Sequence, residues 1–119
     1  MTEAKTVTFA ELKEQMAGFT KMTSPLPFPE FQQYFNDCMA FLQSDYQDLD
    51  ADQLITFKSI CGIMGANAQQ RSFVKDNNRK KFQKMAEKCA FWEKAISIRL
   101  HKDGFTDDEV SAKEEALWD

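Results

Sequence analysis

Long apolar runs are missing from this sequence. No stretch of about 18 uncharged apolar residues occurs, so no segment is expected to span a membrane. Residues 1–12 carry Glu3, Lys5 and Glu11 instead of the apolar stretch of a signal peptide, and a cytoplasmic location is the expectation. Glycine and proline are scarce, four and three in 119 residues. An all-β sandwich needs many turns, and the turn formers are not there. Cysteine is represented by Cys38, Cys61 and Cys89, with no Cys-x-x-Cys pair, and His101 is the single histidine. A zinc site needs four converging ligands, usually closely spaced, so no metal site is expected. Each cysteine falls on an apolar helical face, where a thiol packs as a small hydrophobe.

Catalytic signatures are absent as well. The chain holds no Glu-x-x-His pair, no G-x-S-x-G elbow, no phosphate-binding P-loop and no H-E-x-x-H helix. Its carboxylates fall on polar faces or at helix starts, away from any histidine–nucleophile pairing. The sequence therefore reads as a non-enzyme with no cofactor, no catalytic residue and no metal ligand set.

Aromatic side chains are what it has in quantity. Eleven Phe, two Tyr and two Trp lie in a chain that is 43% apolar and 29% charged. That balance is globular, and the length suits a single helical domain over residues 1–119. Each ring buries a large area, so a few helices suffice for a core.

Thr8, with Glu11 three residues on, forms a capping box flanked by Val7 and Leu12 as a staple. Phe9, Leu12, Met16 and Phe19 follow at helical spacing, and Gly18 suits the end of this first helix. Residues 1–7 are expected to be flexible. Residues 20–29 hold alternate prolines, Pro25, Pro27 and Pro29, which force extended neighbours. They read as a connector that tucks Leu26 and Phe28 inward, with a Pro-rich recognition strap as the other reading.

A second helix over 29–47 is expected from Phe28, Phe31, Phe35, Cys38, Leu42 and Leu49, widened by Tyr34, Met39 and Phe41. Asp50 and Gln53 make the capping box of a third, whose face is Leu54, Phe57, Cys61, Met64 and Ala68, with Ile60 beside it. Gly62 and Gly65 each cost this helix on the order of 1 kcal/mol, so a close helix crossing is expected there. Asp76, Asn77 and Asn78 break the chain before a fourth helix over 78–102. Its core stripe is Phe82, Met85, Cys89, Trp92, Ile96 and Leu100. Gly104 closes it, with His101 and Lys102 where the helix dipole favours positive charge. Thr106 and Glu109 cap a short fifth helix, with Val110, Leu117 and Trp118 as its apolar residues. The fold class is all-α: a compact bundle of four main helices plus a short C-terminal one, with helices two to four carrying the core.

The formal net charge of −4 conceals a segmented chain. Residues 1–57 sum to −6, residues 58–102 to +8 and residues 103–119 to −6. The positive density peaks at Arg71, Lys75, Arg79, Lys80, Lys81, Lys84 and Lys88, the candidate polyanion-binding residues. Lys80, Lys84 and Lys88 are i, i+4 neighbours, which destabilises a helix by roughly 0.2–0.5 kcal/mol per pair. The second half of the same outer face turns apolar at Phe91, Ala95 and Ile98, which with Trp118 are the candidate interface residues.

Three functional readings follow. The leading one is a small interaction protein, self-associating or a subunit of a larger assembly. Its partner would be another protein or a second copy, and its basic face would be neutralised by the acidic run Asp45, Asp48, Asp50, Asp52 and the acidic fifth helix. In the alternative, residues 71–88 bind a nucleic-acid backbone. The third makes Asp107, Asp108, Glu109, Glu114 and Glu115 a phosphate-like surface for a basic partner protein.

Overall fold

The computed structural model describes residues 7–22, 24, 26–73 and 78–117. Expectations at residues 1–6, Pro25, Lys75, Asp76, Asn77 and Trp118 lie outside that set. Among the described residues there are five α-helices and one 3-10 turn, with no strand, so the chain is all-α. It divides into two compact units, Met1–Asp48 and Leu49–Asp119.

In the first unit, α1 (Phe9–Phe19) begins with the expected box: Glu11 N donates to Thr8 Oγ1 at 3.2 Å and Thr8 N to Glu11 Oε1 at 2.9 Å. Gly18 falls in the last turn of this helix, at the end where the sequence places it. The helix runs on through Gly18 to a right-handed Thr20, whose hydroxyl donates to the Ala17 carbonyl at 2.8 Å. Helix α2 (Phe28–Asp45) starts at Pro27 and Pro29, where a missing N–H costs nothing, and passes into a 3-10 turn at Tyr46–Asp48. Leu12 and Met16 on α1 are buried, as are Phe31, Tyr34, Phe35, Cys38, Met39 and Leu42 on α2. Tyr34 joins the two helices, donating from its hydroxyl to the Leu12 carbonyl at 2.8 Å, with its ring edge-on to Phe19 at 5.0 Å.

The second unit is organised around α3 (Ala51–Arg71) and α4 (Arg79–Lys102), whose packing is the most extensive helix contact in the chain. Every residue of the expected α3 face is buried, and so are Ile55, Thr56 and Ser59 beside it. On α4 the buried residues are Phe82, Met85, Cys89, Ile96 and Leu100, with Trp92 half-buried. The helices do cross closely at the glycines: a Cβ on Gly65 would lie 3.2 Å from Cys89 Cβ, and one on Gly62 would lie 3.2 Å from Glu93 Oε2. Helix α5 (Asp107–Leu117) packs on α3.

Capping continues to follow sequence here. Asp50 and Gln53 exchange bonds of 2.8 and 3.0 Å at the start of α3, and Thr106 and Glu109 do so at 3.2 and 2.9 Å at the start of α5. Gly104, at φ +97°, ends α4 in a Schellman motif: Phe105 N donates to Leu100 O and Gly104 N to His101 O, each at 3.0 Å. Two bonds then link distant parts of the unit. Arg99 Nη2 donates to the Leu49 carbonyl at 2.9 Å, and Lys58 Nζ meets Glu114 Oε1 at 3.0 Å.

Candidate functional site

Helix α4 is the only one of the five whose first turn holds no acidic residue. It opens instead on Arg79, Lys80 and Lys81, all exposed, at the end of the helix where the dipole is positive. Asn78 occupies the cap position but its side chain makes no capping bond. Local electrostatics thus oppose the helix at this one start, while three other helices begin with complete capping boxes. A local rule broken among many kept is where function is sought first.

Lys84 and Lys88 continue the positive charge along α4, both exposed. Arg79, Lys80, Lys84 and Lys88 pair with no acidic group among the described residues. The ion pair Lys58–Glu114 and the contact of His101 Nε2 with Asp107 Oδ1 lie elsewhere, so the acidic helix α5 meets α3 and the end of α4. Arg71 stands apart from the basic cluster. It is half-buried, with its guanidinium carbon 4.5 Å from the Phe82 ring centroid, in cation–π contact with the core.

Beyond Lys88 the same face turns apolar. Phe91 is 64% exposed and Ile98 58% exposed, while Ala95 between them is half-buried. Phe91 also stands edge-on to Trp92 at 5.5 Å, which fixes its ring direction. At 100° per residue, Lys84, Lys88, Phe91, Ala95, Ile98 and Lys102 fall within about 80° of arc. They form one continuous stripe on the side of α4 away from Phe82, Cys89 and Ile96.

Sequence reasoning missed three features. Phe73, in the turn after α3, is 78% exposed, and no helical periodicity marks it out. His101 has a carboxylate partner, Asp107 Oδ1 at 2.6 Å, which no local motif announces. Both members of that pair are exposed and they clip the start of α5 to the end of α4. Lastly, the acidic residues of α5 are partly engaged over long sequence separations: Glu114 by Lys58 and Asp107 by His101, while Glu109 makes the expected cap. Asp108 and Glu115 remain outward.

Among the described residues no three His, Cys, Asp or Glu side chains are grouped to hold a metal ion, and no helix is long and apolar enough to cross a membrane. The three cysteines are buried thiols. Searches against protein-family models, curated proteins and solved structures find no match to the chain.

Proposed function

We propose that this chain is a non-catalytic helical interaction protein of the cytoplasm, self-associating or a subunit of a larger assembly, which docks another protein chain on the outer face of α4. The observation that carries this reading is the joint exposure of Phe91 and Ile98, seven residues apart on one face with Ala95 between them. Single exposed apolar residues are ordinary, whereas a contiguous apolar patch on a helix marks a contact surface. Buried thiols suit a reducing compartment.

Nucleic-acid backbone binding is the second reading. It is favoured by Arg79, Lys80, Lys84 and Lys88, cations with no acidic partner among the described residues. It gives no role to Ile98, which is why it ranks second.

A photo-crosslinking amino acid placed at Phe91 or Ile98 in living cells tests the choice, with exposed Gln43 and Ser111 as control positions. Discrete protein adducts from 91 and 98, absent from the controls, are expected. Adducts to nucleic acid alone, or no adducts above the controls, would sink the reading.

A further inference from the structure

The composition of the α4 stripe also constrains the kind of partner it fits. Its positions alternate in steps of four and three: Lys84, Lys88, Phe91, Ala95, Ile98, Lys102. That is the a/d repeat by which one helix receives another. The apolar centre from Phe91 to Ile98 spans about 10 Å of a stripe about 27 Å long, at 1.5 Å per residue. Every polar position on the stripe is a lysine, two before the apolar centre and one after it.

We infer that this stripe is the docking seat of an acidic amphipathic helix from a partner protein, an inference that rests on the protein-interaction reading above. An apolar centre with cations at both ends is matched by a helix with apolar residues at its middle and carboxylates at both ends. Such a partner relieves the repulsion along Lys80, Lys84 and Lys88. It also brings negative charge toward a first helical turn, Arg79–Lys81, that holds no acidic residue.

A second copy of the chain is a poor match. Paired in parallel and in register, Lys84, Lys88 and Lys102 each meet their own copies. Paired antiparallel about Ala95, Lys88 meets Lys102. Like charges facing across a helix pair select against that partner. A standard interface takes roughly 20–30 residues a side, polar and apolar together, so the contact has to extend beyond the three apolar residues onto the lysines. A nucleic-acid backbone would satisfy the lysines but offers Ile98 nothing apolar.

The test titrates the purified full chain against two designed helical peptides of about three heptads each. Both carry the same apolar centre, one with Glu flanks and one with Lys flanks. The Glu peptide is expected to bind at least about tenfold tighter. Lys84→Glu with Lys88→Glu should exchange that preference, and Phe91→Ser or Ile98→Ser should each weaken Glu-peptide binding about tenfold. Circular dichroism melts check that each variant is folded, and the three variants do not depend on one another.

Equal affinity for the two peptides, or binding of neither, overturns the inference. A dimer in sedimentation equilibrium that both serine variants split identifies a second copy as occupant. That outcome overturns the acidic-helix inference and leaves the protein-interaction reading standing. Tighter binding of a mixed-sequence single-stranded oligonucleotide than of the Glu peptide, lost in the double glutamate variant, overturns both.

Discussion

Gly65 on α3 lies against Cys89 on α4 so closely that a methyl group at residue 65 would stand 3.2 Å from Cys89 Cβ. A Cβ cannot move without its backbone, so Gly65→Ala has to part the two helices. Gly62 faces α4 at the same nominal distance, but its neighbour is Oε2 of Glu93, the far end of a flexible side chain. Alanine raises helix propensity by about 1 kcal/mol at either position. Overpacking of a rigid contact costs about 1–3 kcal/mol. Gly62→Ala should therefore stabilise the chain by up to about 1 kcal/mol, and Gly65→Ala should destabilise it by about 1 kcal/mol. Urea denaturation of the two variants decides it, and equal shifts of one sign would refute the distinction.

Arg99 supplies a tie that spans 50 residues of sequence, from the last turns of α4 to the carbonyl of Leu49 just before the α3 cap. A hydrogen bond from a charged donor contributes about 1.5–3 kcal/mol when well desolvated, and this one is part-buried. Arg99→Met keeps the stem and removes the donor. It should lower stability by about 1–2 kcal/mol. Amide hydrogen exchange should show the loss first at the N-terminal turn of α3.

These two sites mark what the sequence could and could not reveal. The capping boxes at Thr8, Asp50 and Thr106 are local, with partners three residues apart, and all three form. Gly104 was legible because a left-handed residue after a long helix has few alternatives. Gly18 marks the last turn of its helix, and Thr20 closes that helix by its own hydroxyl. The ties Arg99–Leu49 and Lys58–Glu114 join residues 50 and 56 apart, where no periodicity operates. On the candidate surface, 100° steps placed Phe91 and Ile98 outward, and the structure exposes both. The turn of Arg71 onto Phe82 depends on how α3 and α4 meet, which no local pattern carries.

Phe91 and Ile98 should be dispensable for folding. Each is more than half exposed, and substitutions at such positions usually change stability by no more than about 0.5 kcal/mol. Phe91→Ser gives up the edge contact to Trp92, so its cost should exceed that of Ile98→Ser by a few tenths of a kcal/mol, about the low end for an aromatic pair. Thermal melts check this. A loss above about 2 kcal/mol would show that these residues serve the fold.

Lys58 and Glu114 should couple more strongly than a surface pair. Their side chains are 19% and 24% exposed, and they link α3 to α5. Exposed pairs typically contribute about 0.2–1 kcal/mol. A double-mutant cycle with Lys58→Met and Glu114→Gln should give a coupling energy at or just above the top of that range, about 1 kcal/mol. Lys58→Met alone should also loosen α5, seen as faster exchange of the Val110 amide. A coupling indistinguishable from zero would leave Val110 as the main anchor of that helix.

Glu109 gives the start of α5 an acid dependence whose sign is fixed. The backbone N–H of Thr106 donates to its carboxylate, and the Thr106 side chain adds to the effect, so the group titrates below the ordinary carboxylate range. A carboxyl lowered on folding adds stability above its unfolded pKa. That contribution is lost as pH falls through its folded value. In an NMR titration, Glu109 should therefore protonate at lower pH than the glutamate of an unstructured reference peptide, and the α5 amides should lose protection as it does. Thr106→Ala removes the hydroxyl but keeps the N–H, so it should move the Glu109 midpoint only part of the way back. Glu109→Gln should leave α5 formed near neutrality and abolish this portion of its acid sensitivity. If Glu109 titrates with the reference glutamate, the capping bond does not persist in solution.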